Sequence, residues 1–220
     1  MEEEGEEVMT VNIHQGCSLE AMKSMKDNQY DLAVVDPPYG IGNWLPSKPS
    51  KQSKKKKIQF KKVTWNDNIP PPEYFQQLKR VSKRQIIWGA NYYPDIFPSP
   101  VLVWYKNINH PDFSKVEIAS LSWGKKCDYV HINWAAGWHR TQVEGKQIHP
   151  CQKPVALYHW IYEKYASPGM KILDTHLGSG SSAIAAWDCG LDFDGWELDV
   201  EYHAGAVTRY QEHIRQLKLF

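Results

Sequence analysis

Two short stretches of the chain join a carboxylate to a stiff or glycine-rich turn at the end of an apolar run. In "LAVVDPPYG", Leu32 to Val35 have the length and branching of a buried strand, and Asp36, Pro37, Pro38, Tyr39 and Gly40 follow at once. In "KILDTHLGSGSSA", Asp174 closes a second short run, and Gly178, Ser179 and Gly180 open a stretch rich in Ala and Ser. Glycines there let backbone amides approach a ligand closely at a helix N-terminus. Alone, "GSGSSA" matches the G-x-G-x-x-A dinucleotide turn, with Glu197 nineteen residues after Gly178 at the spacing of a ribose-binding acid. No Gly-Lys-Ser/Thr follows the glycines, which excludes a P-loop.

Asp174, four residues before Gly178, narrows the ligand. A carboxylate that close repels a pyrophosphate but holds an ammonium group. S-adenosylmethionine carries such an ammonium, and the two hydroxyls of its ribose suit Glu197. The plainer reading of Asp174 is a cap for the strand end or the turn after it. A third stretch, "HPCQKPVALYHWIYEKY", places Pro154 at the first turn of a helix with Lys153 directly before it. A helix N-terminus flanked by a lysine is a seat for a carboxylate, such as that of the methionine moiety. His149 and Gln152 either face the same ligand or are ordinary loop residues.

Strands are expected at 10–14, 32–35, 85–89, 101–105, 129–134, 171–174 and 192–198, and helices at 18–26, 71–82, 154–166, 181–189 and 199–217. Such alternation predicts an α/β fold with an open, mostly parallel twisted sheet and helices on both faces. Ligands of such sheets bind beyond the carboxyl ends of the strands, where Asp36 and Asp174 both lie.

The chain has 220 residues, enough for one domain with a substantial core. No apolar run reaches membrane-spanning length, and the acidic start "MEEEGEEVMT" is unlike a secretory signal, so a soluble, cytoplasmic protein is expected. Cys17, Cys127, Cys151 and Cys189 are scattered without a C-x-x-C pair, which fits reduced thiols rather than a zinc site or disulfide framework. The formal charge of +1 conceals an asymmetry: five Glu fall in the first seven residues, and eight Lys fall in residues 46–62 without one acid. Residues 1–9 read as a disordered acidic tail and residues 10–220 as one catalytic domain. Within it the loop 41–63, with Lys54, Lys55, Lys56, Lys57, Lys61 and Lys62, suits a phosphate backbone.

Together the motifs resemble the S-adenosylmethionine-dependent amino-group DNA methyltransferases of the permuted, beta-type order. "DPPYG" at 36–40 comes first, then "HPCQKP" at 149–154, "DTHLGSG" at 174–180 and "GWELD" at 195–199. The resemblance extends over residues 12–215 and is thinnest between 64 and 140, where "IIWGANYY" and "VEIASLSW" are similar to family segments without a secure placement. It implies a Rossmann-like methyltransferase fold, S-adenosylmethionine as cofactor, double-stranded DNA with a flipped base as partner, and adenine N6 as acceptor; it admits a homodimer. Gly16 and Cys17 stand where the family usually has Gly-Asp beside the cofactor adenine. No insertion is long enough to form a separate target-recognition domain, which leaves sequence preference to the loops 41–63 and 106–148.

The resemblance also gives the first motif its chemistry. An exocyclic amine is a poor nucleophile because its lone pair is delocalised into the ring. Asp36 would accept a hydrogen bond from that amine, the Pro37 carbonyl would accept a second, Pro38 would stiffen the turn, and Tyr39 would stack on the base near the sulfonium. No metal and no covalent cysteine intermediate are implied. Cytosine N4 uses the same amine chemistry, and RNA is a further substrate class. From other classes, an NAD-dependent oxidoreductase accounts for "GSGSSA" and Glu197 but not for Asp36 to Tyr39, and a non-catalytic nucleic-acid-binding module accounts only for the lysines. An enzyme of this size suits a restriction–modification system, a phage or a regulatory pathway.

Overall fold

The computed structural model describes residues 9–42, 65–93, 100–109, 113–134 and 147–217. The lysines of the loop at Lys54, Lys55, Lys56, Lys57, Lys61 and Lys62, and residues 1–8 of the acidic tail, lie outside the described residues.

Strand β1 (Val11–Gln15) leads into helix α1 (Ser18–Ser24), and β2 (Leu32–Val35) is followed by α2 (Pro72–Val81). Next come β3 (Gln85–Trp88), a 3-10 turn at Ala90–Tyr92, β4 (Val101–Tyr105), β5 (Val116–Leu121) and β6 (Asp128–His131). Helix α3 (Val155–Tyr165), β7 (Lys171–Asp174), α4 (Ser181–Asp188), β8 (Asp192–Glu197) and α5 (Val200–Leu217) complete the chain. The strands form one eight-stranded sheet in the order β1-β8-β7-β2-β3-β5-β4-β6. Among the described strands only β5 runs against the others, pairing antiparallel with both β3 and β4.

All four residues of β2 and of β3 are buried, because helices cover the sheet on both faces. Leu32 and Val34 point into one core with Ile86 and Trp88, beneath Leu157 and Ile161 of α3 and Ala183 and Ala186 of α4. Ala33 and Val35 point into the other with Ile87 and Leu173, beneath Met22 of α1 and Tyr74, Phe75 and Leu78 of α2. Burial on both faces turns a strand into an unbroken apolar run rather than an alternating one, which is why β2 was legible. The predicted α/β architecture is the observed one, with helix ends within two residues of expectation. Among the described residues no helix is long and apolar enough to cross a membrane.

The fold brings the two carboxylate-ended motifs together. β2 and β7 are adjacent parallel strands, with Leu32 opposite Ile172 and Ala33 opposite Leu173, so both chains leave the sheet on the same edge. On the other side of β7 lies β8, which carries Glu197 to that edge beside β1 and its exit at Gly16.

Candidate active site

Asp36 leaves β2 and is fixed at once by its surroundings. Oδ1 accepts a 2.5 Å hydrogen bond from the Tyr39 hydroxyl, and Oδ2 accepts one from Nζ of Lys153. The turn after it is held from below, where the buried Tyr93 hydroxyl reaches the carbonyls of Pro37 (2.8 Å) and Pro38 (2.7 Å). The backbone N–H of Tyr39 donates to Oδ1 of Asn66 (2.9 Å). The Tyr39 ring stacks on Tyr92 with centroids 4.8 Å apart and planes at 15°. One of its faces is thereby covered, leaving at most the other for a base. Burial, and then the Asp36 charge, push the Tyr39 phenol well up, so it stays a donor.

Room for that ring comes from Gly89, just after β3. Its φ is +79°, and a Cβ there would lie 2.3 Å from Cε1 of Tyr39. Gly89, Tyr92 and Tyr93 all belong to "IIWGANYY", whose place in the site the sequence did not reveal. Asn66, and Trp65 beside it, carried no motif at all.

Lys153 corrects an expectation. Rather than offering a free ammonium beside the N-terminus of α3, it is buried between two carboxylates, Asp36 and Glu117. The reason is electrostatic: both acids reach the same apolar pocket from strands of the sheet, and a lysine entering it must pair with them. Burial opposes its charge, but Asp36 and Glu117 outweigh that and the net shift of its pKa is upward. Glu117 likewise loses to burial and gains more from Lys153 and Lys106, so its carboxyl is held below the usual range.

On the cofactor side, Glu197 gathers the turns. Oε2 accepts from Gly178 N–H (2.8 Å), Oε1 from Asp199 N–H (2.8 Å), and the Glu197 carbonyl from Gly16 N–H (2.9 Å). Burial chiefly raises the Glu197 carboxyl. Gly178 has φ +55°, and a side chain there would point at the His149 ring, its Cβ 3.4 Å from Nδ1. That ring is buried against Tyr202 and stacked with Trp65 at 5.5 Å. Burial, then the Lys153 charge, lower its pKa to about 3, so it is neutral, and Nδ1 accepts from Cys151 N–H at 3.2 Å. Gln152 braces the same turn by accepting from Ile148 N–H at 3.0 Å. Ser179 is buried, with its carbonyl on Arg209 (3.0 Å), and Gly180 stands at the N-cap of α4. Cys17 is exposed at the N-cap of α1 and makes no side-chain capping bond.

Asp174 is fully buried and turned inward. Its oxygens accept from His176 N–H (3.0 Å) and from the Ser182 hydroxyl (2.5 Å), so it ties the strand end to the first turn of α4. Burial raises its carboxyl to about 7 even against those two bonds. Its arrangement is that of the cap, the plainer of the two expectations. Among the described residues no group of His, Cys, Asp or Glu has the geometry of a metal site.

The chain is similar to proteins named as methylases and methyltransferases. It is 23% identical over 211 residues to the putative methylase YubD of Escherichia coli K12, covering 89% of this chain and 88% of the relative. It is 26% identical over 252 residues to the type II methyltransferase M2.MboI of Moraxella bovis, covering 94% and 90%. No family model matches the chain. Among solved structures, the M1.HpyAVI–SAM complex superposes with a TM-score of 0.60 at 16% identity, covering 91% of this chain and 98% of the other. PvuII DNA methyltransferase, named cytosine-N4-specific, superposes at 0.58 and 15% identity, covering 94% and 92%. The chain therefore shares its fold with these methyltransferase structures.

Proposed function

We propose that the protein transfers a methyl group from S-adenosylmethionine to the exocyclic N6 amine of an adenine swung out of DNA. One observation carries this reading: Asp36 and the Gly178 turn leave adjacent parallel strands on the same sheet edge, with Glu197 next to them. The names of the relatives agree with methyl transfer.

The residues present fit the cofactor. Glu197 spends one bond per oxygen on Gly178 and Asp199, which leaves lone pairs for ribose hydroxyls. Gly16, Gly178 and neutral His149 line the same edge, and Ser179 and Gly180 set the turn. Asp174 would meet an ammonium only as an additional partner, and Lys153, committed to two acids, leaves the cofactor carboxylate to backbone N–H groups near Gln152 and α3. When bound, S-adenosylmethionine supplies an electrophilic methyl group on a sulfonium.

The remaining work belongs to the chain. Asp36 accepts a hydrogen bond from the amine and draws its lone pair out of conjugation. The carbonyls of Pro37 and Pro38 each keep a lone pair beside the one taken by Tyr93, so Tyr93 aims them without silencing them. These acceptors are fixed before the base arrives, which limits reorganisation during the in-line displacement. The proton left on nitrogen after bond formation passes to Asp36 or to water. The base leaves its stack to reach this depth, and the lysine loop holds the flanking phosphates.

Cytosine N4 is the second reading, because it presents the same amine to the same acceptors and a protein of this fold is named for it. Nucleoside mass spectrometry after incubation with S-adenosylmethionine and unmethylated DNA decides between them. N6-methyladenine is expected, N4-methylcytosine selects the second reading, and no methylated base contradicts both.

A further inference from the structure

Both oxygens of Asp36 already have donors, one from Tyr39 and one from Lys153. Each oxygen keeps a lone pair for an incoming amine, but that amine is held more strongly if one of the two donors withdraws. Tyr39 is ill suited, because its ring is stacked on Tyr92 and abuts Gly89. Lys153 has somewhere to go. Its Nζ lies 3.1 Å from Oε2 of Glu117, and that oxygen, though buried, takes part in no hydrogen bond. A short movement of the ammonium would turn that ion pair into an aligned hydrogen bond, a gain smaller than that of satisfying an isolated buried acceptor. Glu117 is itself anchored by Lys106, and the four groups alternate in sign from Asp36 through Lys153 and Glu117 to Lys106. The rings of Trp88 and Tyr39 stand 5.5 Å and 5.9 Å from the ammonium and would flank it in either position.

We propose that Glu117 is a positioning residue that draws Lys153 from Asp36 when the target amine arrives, so that Oδ2 accepts the amine's hydrogen bond without a competing ammonium. The charge stays inside one pocket throughout, so no ion is desolvated anew. The inference rests on the proposed amine methylation. Glu117 touches neither base nor cofactor; it acts through Lys153.

Glu117→Gln removes the receiving charge and leaves Lys153 on Asp36. Single-turnover methyl transfer should slow by about 10- to 100-fold, while S-adenosylmethionine affinity measured by calorimetry stays within about twofold. The decisive variant is Glu117→Gln combined with Lys153→Gln, which removes one charge of each sign and with them the obstruction. It should transfer faster than Glu117→Gln alone, whereas a purely structural loss would make the double variant at least as slow. If Glu117→Gln fails to bind S-adenosylmethionine, Glu117→Asp, which keeps the charge but withdraws it, serves in its place and should slow transfer with binding intact. A wild-type rate in either single variant, or a double variant no faster than Glu117→Gln, overturns the inference. Failure of the unsubstituted protein to methylate any base would instead remove the reading on which it rests.

Discussion

Ala33 of β2 and Leu173 of β7 are partners across a parallel ladder, one residue short of Asp174 and three short of Asp36. This pairing puts two motifs 138 residues apart in the chain on one edge of the sheet. Had the strands been antiparallel or separated, the two carboxylate-ended turns would have faced different solvent, and no shared reaction would follow.

Gly89 makes room for the Tyr39 ring. Gly89→Ala forces a Cβ to within 2.3 Å of that ring at a φ of +79°, which disfavours any side chain. The ring and its bond to Asp36 must shift. Methyl transfer is expected to drop at least about tenfold and stability by about 1–3 kcal/mol. S-adenosylmethionine titration should be nearly unchanged, since the Gly178–Glu197 side of the site is untouched.

Asp174 makes stability depend on pH with an unusual sign for a carboxylate. Burial raises its folded pKa from 3.8 to about 7, so between those values the native state binds the extra proton. Its contribution is fully present below pH 3.8, falls as pH rises to about 7, and is flat above that. Asp174→Asn removes this slope. Urea unfolding of both proteins should therefore show the wild type losing stability relative to the variant by a few kcal/mol between pH 4.5 and 8. A difference independent of pH would mean that the carboxyl titrates normally.

The proposed function assigns Lys54 to Lys57, on their charge, to the phosphate backbone. Replacing all four with Gln should weaken DNA binding uniformly across sequences. It should also flatten the plot of log K against log salt by about one unit per lysine that contacts a phosphate. Fluorescence anisotropy at several salt concentrations tests this, and an unchanged slope would return the loop to a solvated surface.

What the sequence made legible was whatever depended on one segment at a time. β2, β7 and the helices were readable because doubly buried strands are unbroken apolar runs and amphipathic helices have a period. β5 was not read as a strand because Glu117 and Ser120 interrupt "VEIASL" with polar residues, and both are turned toward the interior. Lys153 stands at the mouth of α3, where it pairs with Asp36 and Glu117. A lysine before a helix suggests an anion seat, while Asp36, 117 residues away, becomes its neighbour only through sheet order. Tyr93 lies in "IIWGANYY", a segment without a secure placement in the sequence, and its support of Pro37 and Pro38 depends on a turn 55 residues distant.

Asp36 is the point on which the account turns, and its separation from cofactor binding is directly measurable. Asp36→Asn keeps the shape of the side chain, and Lys153 retains Glu117 as a partner, so the fold should hold. Single-turnover transfer to DNA, read alongside calorimetric titration with S-adenosylmethionine, should show transfer reduced about 100- to 1000-fold with affinity within about threefold of wild type. Transfer that survives the substitution, or that falls only in proportion to lost cofactor affinity, would contradict the assignment of Asp36 to the reacting amine.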